Sequence, residues 1–143
     1  MPRFRIIKSK NIEESLSKTK RQYLVGNLLL PQILEHIHSD EIEIGISNYN
    51  GGEFEKAHFH PKQTEFQLVL WGSTEYYDIS NNEIHKFTKG DFYCIEPGVK
   101  YAQKILKKTR ILFVKMPAID DKTLCETTEE ARNWLNNYRK NTK

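Results

Sequence analysis

Short runs of strand-forming residues, separated by turn residues at regular intervals, dominate the middle of this chain. The runs cover residues 65–70, 74–79, 84–87, 91–95, 101–106 and 111–116. The segments between them contain glycine, Asn-Asn, Pro-Gly or Lys-Lys, which are common in turns. Many short strands with this punctuation predict an all-β fold, an antiparallel sandwich or barrel, with no internal repeat.

The two ends of the chain carry the remaining elements. A length of 143 residues is enough for one domain with its own core. We predict a single domain over residues 1–143, with a barrel core at about 23–117 preceded by a short N-terminal extension. Thr127 and Thr128, followed by two glutamates, predict a C-terminal α-helix at about 128–138.

Composition narrows the possible partners. Charged residues make up 29% of the chain and apolar residues 38%. No apolar run reaches the length of a membrane span, and the N-terminus lacks the apolar core of a signal peptide, so we expect a cytoplasmic protein without a membrane partner. The net charge of +3 comes from scattered cations without an aromatic–basic platform. We therefore expect no nucleic-acid partner and a weak attraction for anionic small molecules.

One stretch, with the pattern Gly-x5-His-x-His-x4-Glu-x6-Gly, contains the residues of a metal site. It begins at Gly52, ends at Gly72 and includes His58, His60 and Glu65. On an extended strand His58 and His60 point to the same side. A turn is predicted just after His60, and a hairpin there would place Glu65 opposite both imidazoles. Two nitrogens and one carboxylate predict a half-shell for a divalent transition metal (Fe, Mn, Ni or Zn), with positions open for substrate or water.

Two histidines at this spacing do not make a metal site by themselves. His36 and His38 have the same spacing, but no acid follows them at a hairpin distance. Most histidines on strands are ordinary surface or core residues. We favour metal binding at His58 and His60 because the glycines and the acid complete the pattern.

Residues 52–72 resemble the first motif of the cupin family, which they match without a gap. The segment from Gly90 to Tyr101 is similar to the second cupin motif, with Glu96 where the family has proline and Tyr101 where it has a histidine ligand. The resemblance covers roughly residues 42–116 and implies a cupin-type β-barrel, or jelly roll, with the metal inside. The chain also resembles, more loosely, small stand-alone bacterial cupins that accompany nucleotide-sugar and surface-polysaccharide genes.

Further inward side chains are candidates for the same site. Tyr101 and Gln103 share one face of a strand, and Gln67 lies one step beyond Glu65 on another. Tyr101 is a hydrogen-bond or proton donor, a fourth metal ligand, or filler in the space of the family histidine. Tyr101, Gln67 and Gln103 are candidate substrate-binding residues. Gln67 is expected to hydrogen-bond a metal-ligand side chain or the substrate, or to be a satisfied barrel amide. Tyr101 and Glu65 are the candidate catalytic residues.

Two classes of function fit this site. An enzyme would use the metal to polarise a hydroxy-ketone or enediol for isomerisation or epimerisation, or would use Fe(II) to bind oxygen as a dioxygenase. A binding module would hold a small ligand without catalysis. A carbohydrate or related polar metabolite is the leading small-molecule substrate class.

The strand at 65–70 is apolar on both of its faces, which bears on assembly. Alternation predicts that Glu65, Gln67, Val69 and Trp71 point inward and that Phe66, Leu68 and Leu70 point outward. A strand that is apolar on both faces is covered on both faces. The outer cover is either the chain's own N-terminal segment and C-terminal helix or a second subunit, and the cupin resemblance favours a homodimer.

Overall fold

The structure is a computed structural model that describes residues 1–141, with side chains described as far as Asn137. The last two residues of the predicted domain, 142 and 143, lie outside the described part. In chain order the elements are α1 (Ser9–Leu16), β1 (Arg21–Gly26), β2 (Ile37–His38), β3 (Glu43–Tyr49), β4 (Glu53–Phe59), β5 (Thr64–Trp71), β6 (Ser73–Asp78), β7 (Glu83–Thr88), β8 (Phe92–Ile95), β9 (Tyr101–Ile105), β10 (Thr109–Met116), β11 (Thr123–Leu124) and α2 (Glu129–Asn141).

The strands form two sheets that enclose a common interior. One sheet has the strand order β2-β1-β3-β10-β5-β8, and the other has the order β11-β4-β9-β6-β7. Neighbouring strands are antiparallel except β1 and β2, which are parallel. The predicted all-β architecture with a C-terminal helix is confirmed, and the six strands predicted in the middle of the chain correspond to β5 through β10.

The predicted hairpin between the histidine strand and the Glu65 strand is wrong in its pairing. β4 pairs with β9 and β11, whereas β5 pairs with β10 and β8, so the chain changes sheet just after His60. The corner is held from other parts of the chain: the His60 carbonyl accepts from the Gly98 N–H at 2.8 Å, and Asp121 Oδ2 accepts from the backbone N–H groups of Lys62 at 2.8 Å and Gln63 at 3.0 Å. The interior still brings Glu65 to His60, but across the gap between the sheets.

The interior faces of β3 and β10 are packed closely. Glu43, Gly45, Ser47 and Tyr49 of β3 are buried, while the isoleucines between them are half-buried on the outer face. A Cβ at Gly45 would overlap the Phe113 ring of β10. A glycine is therefore required there for these two strands to pack side by side.

The two outer faces are covered differently. Ala131 and Trp134 of α2 pack on Tyr77 and Ala102, which belong to the five-stranded sheet. The alternative in which the C-terminal helix helps to cover the outer face of β5 is therefore wrong. The prediction that Trp71 points inward is also wrong. Its side chain is 44% exposed and lies beneath the Arg110 guanidinium. A register shift next to Arg110, which pairs with Trp71 while the following residue pairs with Val69, turns the indole outward.

Within residues 1–141, none of the helices is both long enough and apolar enough to cross a membrane.

Candidate metal centre

The sequence-predicted site residues meet in one cavity between the sheets. The cavity has a volume of about 50 Å³, and its lining includes all six of them: His58, His60, Glu65, Gln67, Tyr101 and Gln103. They come from β4, the corner after it, β5 and β9. His58 lies directly opposite Tyr101 in the β4–β9 pairing, so these two side chains share the inward face.

His60 lies between two carboxylates. Its Nε2 is 3.1 Å from Glu65 Oε1, and its Nδ1 is 2.9 Å from Asp121 Oδ1. Burial works against a charged imidazole, but the hydrogen bonds and charges of Glu65 and Asp121 outweigh it and raise the pKa of His60. Asp121 also holds the ring in orientation, which is the usual role of a carboxylate behind a metal-binding histidine. The arrangement leaves Nε2 as the nitrogen that faces Glu65.

Glu65 is 2% exposed and is ionised. Burial opposes its charge, yet the hydrogen bond from His60 and the charge of Lys115, whose Nζ is 3.5 Å from Oε1, lower the pKa of Glu65 to about 2. Its other oxygen accepts a hydrogen bond from the Tyr101 hydroxyl at 2.9 Å. A carboxylate with so low a pKa is a good metal ligand and a weak base.

His58 is a buried and neutral imidazole. Its Nδ1–H donates to the Lys56 carbonyl at 2.7 Å, since a carbonyl can only accept. Burial lowers the pKa of His58. The lone pair therefore lies on Nε2. A neutral imidazole with one free nitrogen is the form that coordinates metal ions.

The phenol and the two amides are engaged with neighbouring side chains. Burial raises the pKa of Tyr101 well above its ordinary value, so its hydroxyl is a donor. Gln67 Oε1 accepts from the hydroxyls of Tyr93 at 2.7 Å and Tyr76 at 3.2 Å. Gln103 donates to Thr74 Oγ1 at 2.9 Å. Gln67 Nε2 also donates to Glu65 Oε2 at 3.4 Å, so Gln67 contacts a candidate ligand side chain, whereas Gln103 has the bond of a satisfied barrel amide.

The predicted triad shares a cavity but is not drawn tightly together. Among the described residues, the group of His, Cys, Asp or Glu donors that lie mutually within 4.8 Å is Asp78, Glu83 and His85, and the donors of His58, His60 and Glu65 do not form such a group. That cluster lies at the β6–β7 turn, where Glu83 and His85 are exposed or half-exposed and both Asp78 oxygens accept from Asn81. We regard it as a turn-stabilising group.

Sequence analysis missed five charged residues that the structure brings to the triad, one of which, Lys122, lines the cavity from the segment after β10. Arg21, Glu55 and Lys115 line the cavity, and Asp121 bonds His60. Lys115 could have been found, because it follows Ile111 and Phe113 at two-residue steps on β10. Asp121 could not, since it lies 61 residues from His60 with no local pattern linking them. Glu55 is displaced by a bulge that strict alternation does not predict.

A second and larger cavity lies on the other side of Tyr101. It has a volume of about 290 Å³, with aromatic walls that include Tyr76, Phe87 and Tyr93. Asp78, His85 and Glu96 also line it. Tyr101 lines both cavities and so separates the polar one from the aromatic one.

No family model matches the chain, and no curated protein matches it in sequence. Solved structures do match in fold. KdgF from Halomonas sp. gives a TM-score of 0.55 at 15% identity over 71% of this chain and 80% of that chain. An uncharacterised conserved protein with a double-stranded β-helix domain from Klebsiella pneumoniae gives 0.59 at 17% identity over 87% of this chain and 99% of that chain.

Oxalate decarboxylase from Bacillus subtilis, a protein with Mn(II) centres, gives a TM-score of 0.51 at 17% identity over 57% of this chain and 22% of that chain. The chain thus spans about a fifth of that enzyme's length. At these identities the similarity shows the fold, which is the double-stranded β-helix of the cupins. The expected cupin-type jelly roll is confirmed.

Proposed function

We propose that this protein is a metal-binding cupin that acts on a small polar metabolite, a carbohydrate or sugar derivative, by isomerase or epimerase chemistry. One observation carries the metal assignment: His58, His60 and Glu65 are buried in one cavity, with His58 Nδ1–H held by the Lys56 carbonyl, His60 Nδ1 held by Asp121 and Glu65 kept ionised beside Lys115. Two nitrogen donors and a carboxylate suit Fe, Mn, Ni or Zn. When bound, a divalent ion would polarise a substrate carbonyl.

The remaining side chains of the cavity are suited to an oxygen-rich, anionic substrate. Arg21, Lys115 and Lys122 line it beside Glu55 and Glu65, so its cations outnumber its carboxylates by three to two. A carboxylated or phosphorylated sugar derivative would be attracted by this excess. The larger aromatic cavity beyond Tyr101 offers space for the apolar part of such a ligand.

Tyr101 is the side chain best placed to take part in the chemistry. Its neutral hydroxyl is buried beside Glu65, with its ring against that of His58, where it can donate to a developing oxyanion or transfer a proton. Glu65, with a pKa of about 2, fits the role of ligand better than that of base. The finer association with nucleotide-sugar metabolism rests on the sequence resemblance alone.

A non-catalytic binding cupin is the second candidate. The bonds of Gln67 and Gln103 to barrel residues favour it, because neither amide is held free for a substrate. A bound ligand without turnover would be the observation that selects this alternative.

The test compares two histidine pairs of identical spacing. We expect that the variant with His58→Ala and His60→Ala loses the metal found in purified wild-type protein, while His36→Ala with His38→Ala keeps it. Elemental analysis measures the metal, and circular dichroism shows that both variants keep the β fold. Stoichiometric metal in the first variant would refute the site.

The metal that is found also separates the reaction classes. Iron in protein purified without added metal favours oxygen chemistry and the dioxygenase alternative. Zinc, nickel or manganese favours the isomerase or epimerase proposal. Protein without any metal favours the binding module.

A further inference from the structure

A bulge in β4 turns an additional carboxylate into the metal cavity. Glu55 pairs with Gln103 and His58 pairs with Tyr101, so three steps along β4 match two steps along β9. The extra residue reverses the alternation of β4 between these positions. Without it, Glu55 would point away from His58, since their spacing is odd. With it, both side chains line the same cavity.

Glu55 faces the lone pair of His58. Its Oε2 is 3.9 Å from His58 Nε2, the nitrogen that the Lys56 carbonyl leaves free of a proton. The cavity therefore contains two nitrogen–oxygen pairs, Glu55 with His58 and Glu65 with His60. Glu55 and His58 belong to β4 and His60 follows that strand, whereas Glu65 reaches the cavity from β5 of the other sheet.

Tyr101 is a poor candidate for the remaining ligand. It occupies the position of the histidine ligand in the resembled motif, but its hydroxyl donates to Glu65 at 2.9 Å. A phenol coordinates well only after losing its proton, and this one is buried among groups that include Glu65 and Tyr76. The ligand that replaces the histidine has to come from another strand position.

We propose that Glu55 is the fourth protein ligand, which together with His58, His60 and Glu65 would hold a divalent metal ion. The assignment rests on the metal binding put forward above. Two neutral imidazoles and two carboxylates balance the charge of such an ion. This donor set, half of it carboxylate, favours Mn(II) or Fe(II).

Basic side chains balance the two carboxylates in the structure described here. Arg21 and Lys122 approach Glu55 at 3.9 Å and 4.0 Å, and Lys115 approaches Glu65 at 3.5 Å. Lys122 is 43% exposed, so it can withdraw to solvent when the carboxylate binds a metal ion. Arg21 remains to orient Glu55, because Ser47 and Tyr49 hold its guanidinium at 2.7 Å and 3.1 Å.

The experiment measures Mn²⁺ affinity by competition with a fluorescent chelator and records the visible spectrum of Co²⁺-loaded protein. We expect Glu55→Gln to weaken Mn²⁺ binding by at least ~10-fold and to change the Co²⁺ bands, because a ligand is lost. Glu43→Gln is the matched control for charge. Glu43 is a buried carboxylate opposite Lys115 and outside the cavity lining, so its loss should leave the Co²⁺ bands unchanged.

The outcomes separate this assignment from the metal site as a whole. Wild-type affinity and spectrum in Glu55→Gln, with metal lost from the His58/His60 double variant, would overturn the role of Glu55 alone. No metal binding by the wild type would overturn both proposals. A changed spectrum in Tyr101→Phe but not in Glu55→Gln would make Tyr101 the ligand. If Glu55→Gln does not fold, Glu55→Asp, which keeps the charge but shortens the reach, should still weaken Mn²⁺ binding.

Discussion

At the scale of single residues, the hydroxyl of Tyr101 decides between enzyme and binder. We expect Tyr101→Phe to keep the metal. If the protein converts a sugar derivative, as proposed, the variant should turn it over ~10²-fold or more slowly, as loss of a positioned donor does. Tyr76→Phe is the control, since Tyr76 bonds Tyr93 and Gln67 but not Glu65. Steady-state kinetics and metal analysis measure both effects. Unchanged turnover in Tyr101→Phe would make Tyr101 filler and support the binding module.

The Glu65–His60 pair should set the acid stability of the metal-free protein. The pKa of Glu65 is about 2 in the folded state against an ordinary 4.5, so its contribution is full above pH 4.5 and is lost as pH falls toward 2. The pKa of His60 is raised from 6.5, so its contribution is full below pH 6.5 and is lost as pH rises through the raised pKa.

Chelator-treated protein should therefore be most stable to thermal unfolding at about pH 5–6.5. Protonation of Glu65 in acid should lower its free energy of unfolding by on the order of 3 kcal/mol. Glu65→Gln should lack that acid loss. An equally steep loss below pH 4.5 in this variant would assign the effect to other carboxylates. Metal affinity should increase as the pH rises through the raised pKa of His60, because the proton that competes for His60 is removed. The stability contribution of His60 decreases over the same range.

At the scale of elements, local pattern predicts the strands but not their exceptions. β5 through β10 are found within a few residues of their predicted positions because alternation and turn residues are local signals. The change of sheet after His60 depends on Gly98 and Asp121, which are distant in sequence. The bulges that turn Glu55 inward and Trp71 outward depend on pairing with β9 and β10. For the same reason the motif identified His58, His60 and Glu65 but not the side chains around them.

The contact between β3 and β10 can be tested at Gly45. We expect Gly45→Ala to lower the free energy of unfolding by about 1–3 kcal/mol, because its Cβ would overlap the Phe113 ring. Denaturant unfolding measures this value. In a Phe113→Leu background, which removes the ring, the same change should cost less. Equal costs in both backgrounds would show that the overlap is not the cause.

At the scale of the whole molecule, an apolar surface remains on the outside of the six-stranded sheet. Ile46, Leu112, Leu68 and Phe92 lie in register across β3, β10, β5 and β8. The first three are half-buried, and Phe92 is 63% exposed beside Phe66, whose ring stacks on it at 6.2 Å. α2 packs on the other sheet, while α1 lies against β1 and its Glu13 pairs with Arg110 of β10 at 2.6 Å, so α1 covers one end of the six-stranded sheet. A contiguous apolar patch of this kind is typical of a subunit interface.

We therefore expect the protein to be a homodimer that buries this patch. Light scattering should give a mass near twice 16.9 kDa for the wild type. Leu68→Lys places a charge in the centre of the patch and should give a monomer of lower stability. Ile84→Lys is the matched control, since Ile84 is 50% exposed on β7 of the other sheet, and it should remain dimeric. A wild type that stays monomeric at high concentration would show that the half-buried packing of Phe66, Leu68 and Leu70 within one chain is sufficient cover.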